Sequence, residues 1–283
     1  FLPGLTVDRY GEVLVIQITT LGMDRLRELI IKLLVEQLHP AAIWEKSDTP
    51  SRAIEGLSPV TDWVYGKPTP VVVVEEEGLK YQVDFDQVQK TGLFLDQREM
   101  RQLVRSLATG KSVLNCFAYT GGFSLAALQG GAKQVETVDV SATAMAGAKQ
   151  NFELNGFSVE TNSLVAQDVF SYLREQRLDQ YDLIILDPPA FAKKRSDVSS
   201  AMKAYRDINR LAITGVAPGG MVITSSCSAL VDEKLFQKVV WQAAKQSGRQ
   251  VRIIQKHCQA ADHPANIYQP ETEYLKSLVL YVE

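Results

Sequence analysis

Ser112-Val-Leu-Asn-Cys-Phe-Ala-Tyr-Thr-Gly-Gly-Phe-Ser-Leu-Ala-Ala-Leu-Gln-Gly-Gly-Ala-Lys-Gln-Val-Glu-Thr-Val-Asp139 reads as strand, tight turn, helix, strand and acid. Val113 to Tyr119 is mostly apolar and short enough for a buried strand. Thr120, Gly121 and Gly122 then break it. Glycine reaches backbone angles that a side chain forbids, and it lets a ligand come close to the main chain. Phe123 to Leu128 predicts a helix closed by Gly130 and Gly131, and Gln134 to Val138 a second strand ending in Asp139. An acid about twenty residues past a glycine turn, at a strand end, is where nucleotide-binding sheets grip ribose hydroxyls. An adenosine-type cofactor suits these residues; so does an ordinary strand-helix-strand unit. The spacing is not the dinucleotide pattern Gly-x-Gly-x-x-Gly.

The alternation continues to the end of the chain. Helices are expected at Glu99 to Leu107, Ser141 to Asn155, Val169 to Gln176, Ser199 to Val216 and Asp232 to Gln246. Strands are expected at Ser163 to Ala166, Tyr181 to Leu186, Met221 to Ser225, Val251 to Lys256 and Tyr274 to Val282. Seven strands alternating with helices indicate an α/β fold with a mainly parallel sheet covered on both faces. The last strand follows its predecessor without a helical crossover, so it is expected to run antiparallel.

Residues 1–85 read as a separate, small α+β unit, leaving 86–283 as the second domain. Leu5 to Ile18 predicts a hairpin around Gly11, and Met23 to Leu38 a helix. Ala42 to Glu45 is a short strand, Thr49 to Pro70 an irregular connection with four prolines, and Val71 to Phe85 a second hairpin. Lys90 to Arg98 joins the units, either as a linker with a buried middle or as a loop over a cofactor with Phe94 as an aromatic wall.

The chain has 283 residues, 46% apolar and 22% charged, and a net charge of -3. There is no global basic field, so contact with nucleic acid must come from a local patch. Cys116, Cys227 and Cys258 are few and widely spaced, which points to a reducing, cytoplasmic compartment and against a disulfide frame. No apolar run reaches the roughly 18 residues of a membrane span, and no signal peptide is visible. His39, His257 and His263 are scattered and no Cys-x-x-Cys occurs, so no metal site is expected.

Open parallel sheets bind ligands beyond the carboxyl ends of their strands. Thr120 to Gly122, Asp139, Asp168, Asp187 and Cys227 all fall at such ends. In Asp187-Pro188-Pro189-Ala190-Phe191 two prolines fix a rigid turn. There Asp187 could bond a ring nitrogen or amino group of a flat heterocycle and Phe191 could stack on it; as a bare strand terminator the motif would do neither. Cys227, among small polar residues, could add as thiolate to carbon 6 of a pyrimidine and make carbon 5 nucleophilic. That role calls for nearby positive potential; the alternative is a buried structural cysteine. Cys116 and Cys258 read as structural. Lys193-Lys194-Arg195 is either a solvated loop or a phosphate contact beside a base pocket.

The glycine turn is similar to the first motif of S-adenosylmethionine methyltransferases. Lys90-Thr-Gly-Leu-Phe-Leu-Asp-Gln-Arg98, Asn115-Cys-Phe-Ala-Tyr-Thr-Gly-Gly-Phe123, Asp187-Pro-Pro-Ala-Phe191, Ser226-Cys-Ser228, Ala261-Asp-His-Pro264 and Pro270-Glu-Thr-Glu-Tyr-Leu-Lys276 together resemble the ribosomal RNA large-subunit methyltransferase I family. Leu2 to Gly11 resembles the start of that family's central domain, so the likeness covers the whole chain. It implies a class I, Rossmann-like methyltransferase domain that makes 5-methylcytosine in large-subunit ribosomal RNA from S-adenosylmethionine.

By the same resemblance, Phe94, Asn115, Phe117, Tyr119, Thr120, Gly121, Gly122, Phe123, Asp139, Asp168 and Asp187 line the cofactor. Asp187 and Cys227 face the target base, with Pro188, Pro189, Phe191, Lys193, Lys194 and Arg195 toward the RNA. A homodimer is left open. Related 5-methylcytosine enzymes carry a second cysteine after the proline motif, and this sequence does not, so Asp187 or a water is left to remove the carbon-5 proton. The family's usual RNA-binding PUA domain is not in the sequence, and Gln87-Val88 stands where many members carry His-Gly. Two other readings remain: methylation of another base or an exocyclic amine through Asp187 without the thiol, and a cofactor-binding ribosome assembly module without catalysis.

Overall fold

The computed structural model describes residues 3–85 and 93–283. Gln87, Val88 and Lys90-Thr91-Gly92 lie outside the described residues. The chain divides into two compact units, Phe1–Phe94 and Leu95–Glu283.

In the first unit β1 (Leu5–Tyr10) and β2 (Val13–Ile18) form the expected hairpin. The expected helix from Met23 is two, α1 (Leu21–Arg25) and α2 (Arg27–Leu38), because Leu26 leaves helical geometry. The strand β3 (Ala42–Ser47) returns parallel to β2. The stretch from Thr49 to Pro70 is not irregular. Pro50 opens α3 (Pro50–Ile54) at a position where its missing N–H costs nothing. Pro59 and Pro68 flank β4 (Val60–Gly66) without entering it, so β4 pairs with β3 at the sheet edge. The hairpin β5 (Val71–Glu76) and β6 (Leu79–Asp84) forms a separate two-stranded sheet. Leu14, Ile16, Ile18, Ile31 and Ile43 make one core, and the rings of Tyr10, Trp44 and Trp63 gather around Phe85, 5.3–5.8 Å away.

The second unit opens with a 3-10 turn (Leu95–Gln97) and α4 (Arg98–Leu107). There follow β7 (Ser112–Cys116), α5 (Gly122–Gln129), β8 (Gln134–Asp139), α6 (Ala142–Leu154), β9 (Ser163–Ala166) and α7 (Val169–Glu175). Then come β10 (Leu183–Leu186), α8 (Val198–Gly215), β11 (Gly220–Ser226), α9 (Glu233–Ser247), β12 (Val251–His257) and β13 (Lys276–Val282). Ser141, Asp168 and Asp232 cap their helices by accepting a backbone N–H three residues on.

These strands form one sheet in the order β12-β13-β11-β10-β7-β8-β9. It is the expected seven-stranded α/β sheet: β13 inserts between β11 and β12 and runs antiparallel to both. Strand β7 is shorter than the sequence suggests, because Phe117 turns left-handed directly after Cys116. Among the described residues, no helix is long and apolar enough to cross a membrane, and no group of three metal-ligating side chains occurs.

Candidate active site

Strand register brings the carboxyl ends into line. Cys116 stands opposite Val138 and Leu186, Leu186 opposite Thr224, and Asp139 opposite Ala166. The residues that follow therefore share one edge of the sheet: Phe117 to Gly122, Asp139, Asp168, Asp187 to Phe191 and Cys227. Strand order reverses between β7 and β10, which is where such a sheet leaves a crevice.

The turn after β7 is strained. Phe117 (φ 59°), Tyr119 (φ 49°) and Gly121 (φ 81°) are all left-handed. For bulky residues this costs about 1–2 kcal/mol each, and such strain gathers at ligand sites. Backbone pairing holds the turn: Ala118 N–H donates to Val138 O (3.1 Å) and Gly121 N–H to Ala118 O (2.9 Å). Asp139 completes it, its Oδ2 accepting from Tyr119 N–H and its Oδ1 from Ser141 N–H, both at 2.9 Å. Each carboxylate oxygen keeps a lone pair for a ligand. A Cβ on Gly121 would lie 3.3 Å from Ala148 Cβ and from the Phe152 ring. Gly121→Ala should therefore destabilise the protein by about 1–3 kcal/mol, read as a lower urea midpoint.

Two expected cofactor residues also make structural hydrogen bonds. Asn115 is fully buried, and its amide donates to Ser124 Oγ (2.9 Å), which meets Thr137 Oγ1 (2.8 Å). It braces the turn from inside the sheet. Asp168 is exposed, but its Oδ1 accepts from both N–H and Oγ of Ser171. Phe123 is buried, and Phe117 packs edge-on to Phe170 and Phe191, each 6.3 Å away. Phe94 belongs to the first unit.

Asp187 accepts from Gln97 Nε2 at 2.9 Å. Pro188 is buried, whereas Pro189, Lys193, Lys194 and Arg195 are exposed. Phe191 rests against Tyr205 (4.7 Å between ring centres) and Phe170 (6.0 Å). Tyr205 also binds Ser226 Oγ and Ser228 Oγ, each at 3.0 Å, and Ser228 Oγ accepts from Ala192 N–H (3.3 Å). The serines on either side of Cys227 are thus pinned to the Asp-Pro-Pro-Ala-Phe loop. Cys227 is half-buried and donates to the Pro188 carbonyl at 3.9 Å.

Lys276 was not legible as a site residue. It is buried, stands opposite Ser226 in the β11–β13 register, and donates to the carbonyls of Ser228 and Tyr274, both at 2.7 Å. Burial pushes its ammonium down to about 8, against the pull of Cys227, Asp232 and Glu273. Attraction is mutual, so the cation favours the thiolate form of Cys227. Cys116 is the opposite case: fully buried in β7, its thiol is pushed far up by desolvation and then by Glu136.

The β12–β13 connection closes against the start of α4. Tyr274 OH donates to Asp96 (2.7 Å), Arg98 pairs with Asp262 (2.7 Å), and Ala261 N–H donates to Glu99 (3.1 Å). Motifs over 160 residues apart in sequence thereby meet.

The profile of S-adenosylmethionine-dependent methyltransferases matches residues 2–252. The ribosomal RNA large subunit methyltransferase I of Aeromonas salmonicida is 46% identical over 99% of this chain and 71% of its own length. That of Aeromonas hydrophila is 47% identical, with the same coverage. This chain belongs to the ribosomal RNA large subunit methyltransferase I family. Its cofactor is S-adenosylmethionine. The structure of SMU.776 complexed with SAH superimposes with a TM-score of 0.86 at 28% identity, covering 99% of this chain and 72% of that one. The methyltransferase's own residues suit an adenosyl cofactor: a half-buried carboxylate, Asp139, stands at a strand end beside the left-handed turn, with lone pairs to spare.

Proposed function

We propose that this methyltransferase makes 5-methylcytosine in large-subunit ribosomal RNA, in the cytoplasm, through a covalent adduct on Cys227. The names of its relatives support ribosomal RNA as substrate. The covalent chemistry rests on one observation. The half-buried thiol of Cys227 lies at a strand end, 3.9 Å from the Pro188 carbonyl, and shares its charge environment with Lys276.

Thr120 to Phe123 and Asp139 would hold the cofactor, with Phe117, Tyr119, Asp168 and Asp187 around it and Asn115 bracing the turn. S-adenosylmethionine would supply an electrophilic methyl group when bound, its sulfur keeping the electron pair of the methyl–sulfur bond and leaving as the neutral thioether. The thiolate of Cys227 adds to carbon 6 of cytosine, and the electron pair moves to carbon 5, which becomes the nucleophile. Once carbon 5 carries the methyl group, Asp187 or a water takes its proton. The electrons return, the carbon–sulfur bond breaks and the thiolate is restored. Pro188, Pro189 and Phe191 would shape the base pocket, and Lys193, Lys194 and Arg195 would meet phosphate.

RNA containing 5-fluorocytidine tests this reading, because the fluorine blocks release of the carbon-5 substituent. The protein with cofactor should form a protein–RNA adduct that survives SDS, and Cys227→Ser should form none. Mass spectrometry of unmodified RNA should find 5-methylcytosine. An N-methylated base without an adduct would sink the covalent reading in favour of an amino-group enzyme.

A further inference from the structure

An open groove of about 410 Å³ runs along α7 and α8 and reaches Gln246 near the end of α9. Its lining includes Phe170, Arg174, Lys203, Arg206, Asp207 and Arg210. Four cations surround one acid in a chain whose net charge is -3. Asp207 pairs with both Arg174 and Arg210 (the latter at 2.9 Å), so one acid offsets one of four cations, and Lys203 and Arg206 have no share in it. Lys203, Arg206 and Arg210 recur at spacings of three and four along α8, so they share one face of that helix over about 10 Å.

Phe170 ties the groove to the reaction site. It carries the Arg174 guanidinium over its ring at 5.8 Å and packs against Phe191 at 6.0 Å. The exposed run Lys193-Lys194-Arg195 leads from Phe191 into the start of α8. Cations therefore stand both in the loop that follows Phe191 and in the groove that Phe170 lines. A groove of guanidinium and ammonium groups beside a flat ring suits a chain of phosphodiesters, since phosphates take charge-assisted bonds and an unpaired base can stack.

We propose that the α7–α8 groove binds the phosphodiester backbone of the RNA strand flanking the target nucleotide. The substrate class rests on the function proposed above. The groove supplies affinity without base selection, because phosphate contacts position a strand and do not read it.

The test is the double variant Lys203→Ala/Arg206→Ala, which spares the Asp207 ion pairs and the residues assigned to the reaction. Binding of a fluorescein-labelled single-stranded RNA oligonucleotide is titrated at several salt concentrations. Affinity should fall about tenfold or more. The slope of log Kd against log salt should flatten by about 1.4, as expected for two lost contacts to a single strand. Alkylation of Cys227 by iodoacetamide and the circular dichroism spectrum should match the parent. An unchanged affinity and slope, or a parent protein that binds the oligonucleotide without salt dependence, would overturn the proposal. If the parent forms no 5-methylcytosine yet the variant shows both losses, the groove stands and the methylation chemistry falls.

Discussion

Cys227→Ala should reduce methyl transfer to RNA by about 10⁴-fold or more, the scale seen when a covalent nucleophile is removed. Binding of S-adenosylmethionine should stay within about twofold, because Cys227 lies at the β11 end and the glycine turn at the β7 end. The contrast within the chain sharpens the expectation. Cys116 sits at the same edge of the sheet, two strands away on β7 and one residue before the strained turn, yet it is fully buried and its thiol is held protonated. Cys116→Ala should therefore leave turnover near the parent value while lowering stability modestly through the small cavity left in the sheet. Calorimetric titration with cofactor, run beside the transfer assay, separates the two effects. Full transfer by Cys227→Ala would end the covalent mechanism.

Why one of these cysteines could be singled out from sequence is a matter of punctuation. Thr120-Gly-Gly122, Asp187-Pro-Pro189 and Ser226-Cys-Ser228 each end a short apolar run, and in a parallel sheet all such ends fall on one side. The antiparallel direction of β13 was equally open to view, since no helical crossover precedes it. Three other participants were hidden because their roles depend on long-range register. Lys276 reaches Ser228 only because β13 folds between β11 and β12. Tyr205 serves the serines from the middle of α8, where its sequence neighbourhood reads as plain amphipathic helix. Gln97 reaches Asp187 across 90 residues of chain. Asn115 carries a role the sequence did not reveal: its amide donates to Ser124 from inside the sheet. In the first unit, the prolines that made Thr49 to Pro70 look irregular bracket α3 and β4.

Lys276→Met should slow alkylation of Cys227 by iodoacetamide at pH 7 about tenfold or more, because a nearby cation is what lowers a thiol into the neutral range. Lys276 is charged below about 8 and loses its proton as the pH rises through that value. Its help to the thiolate is therefore complete at pH 7 and fades at higher pH. The parent and the Met variant should converge in reactivity above that point, where any thiol with an ordinary pKa of about 8.5 ionises unaided. Lys276→Arg keeps a charge that does not titrate in this range, so part of the advantage over the Met variant should persist above pH 8. Peptide-level mass spectrometry is needed as the readout, since Cys258 is exposed and will also react. A burial role alone predicts changed stability with an unchanged pH profile of labelling. Superimposable profiles for parent and Met variant would remove Lys276 from the chemistry and leave it as a strut between the Ser228 and Tyr274 carbonyls.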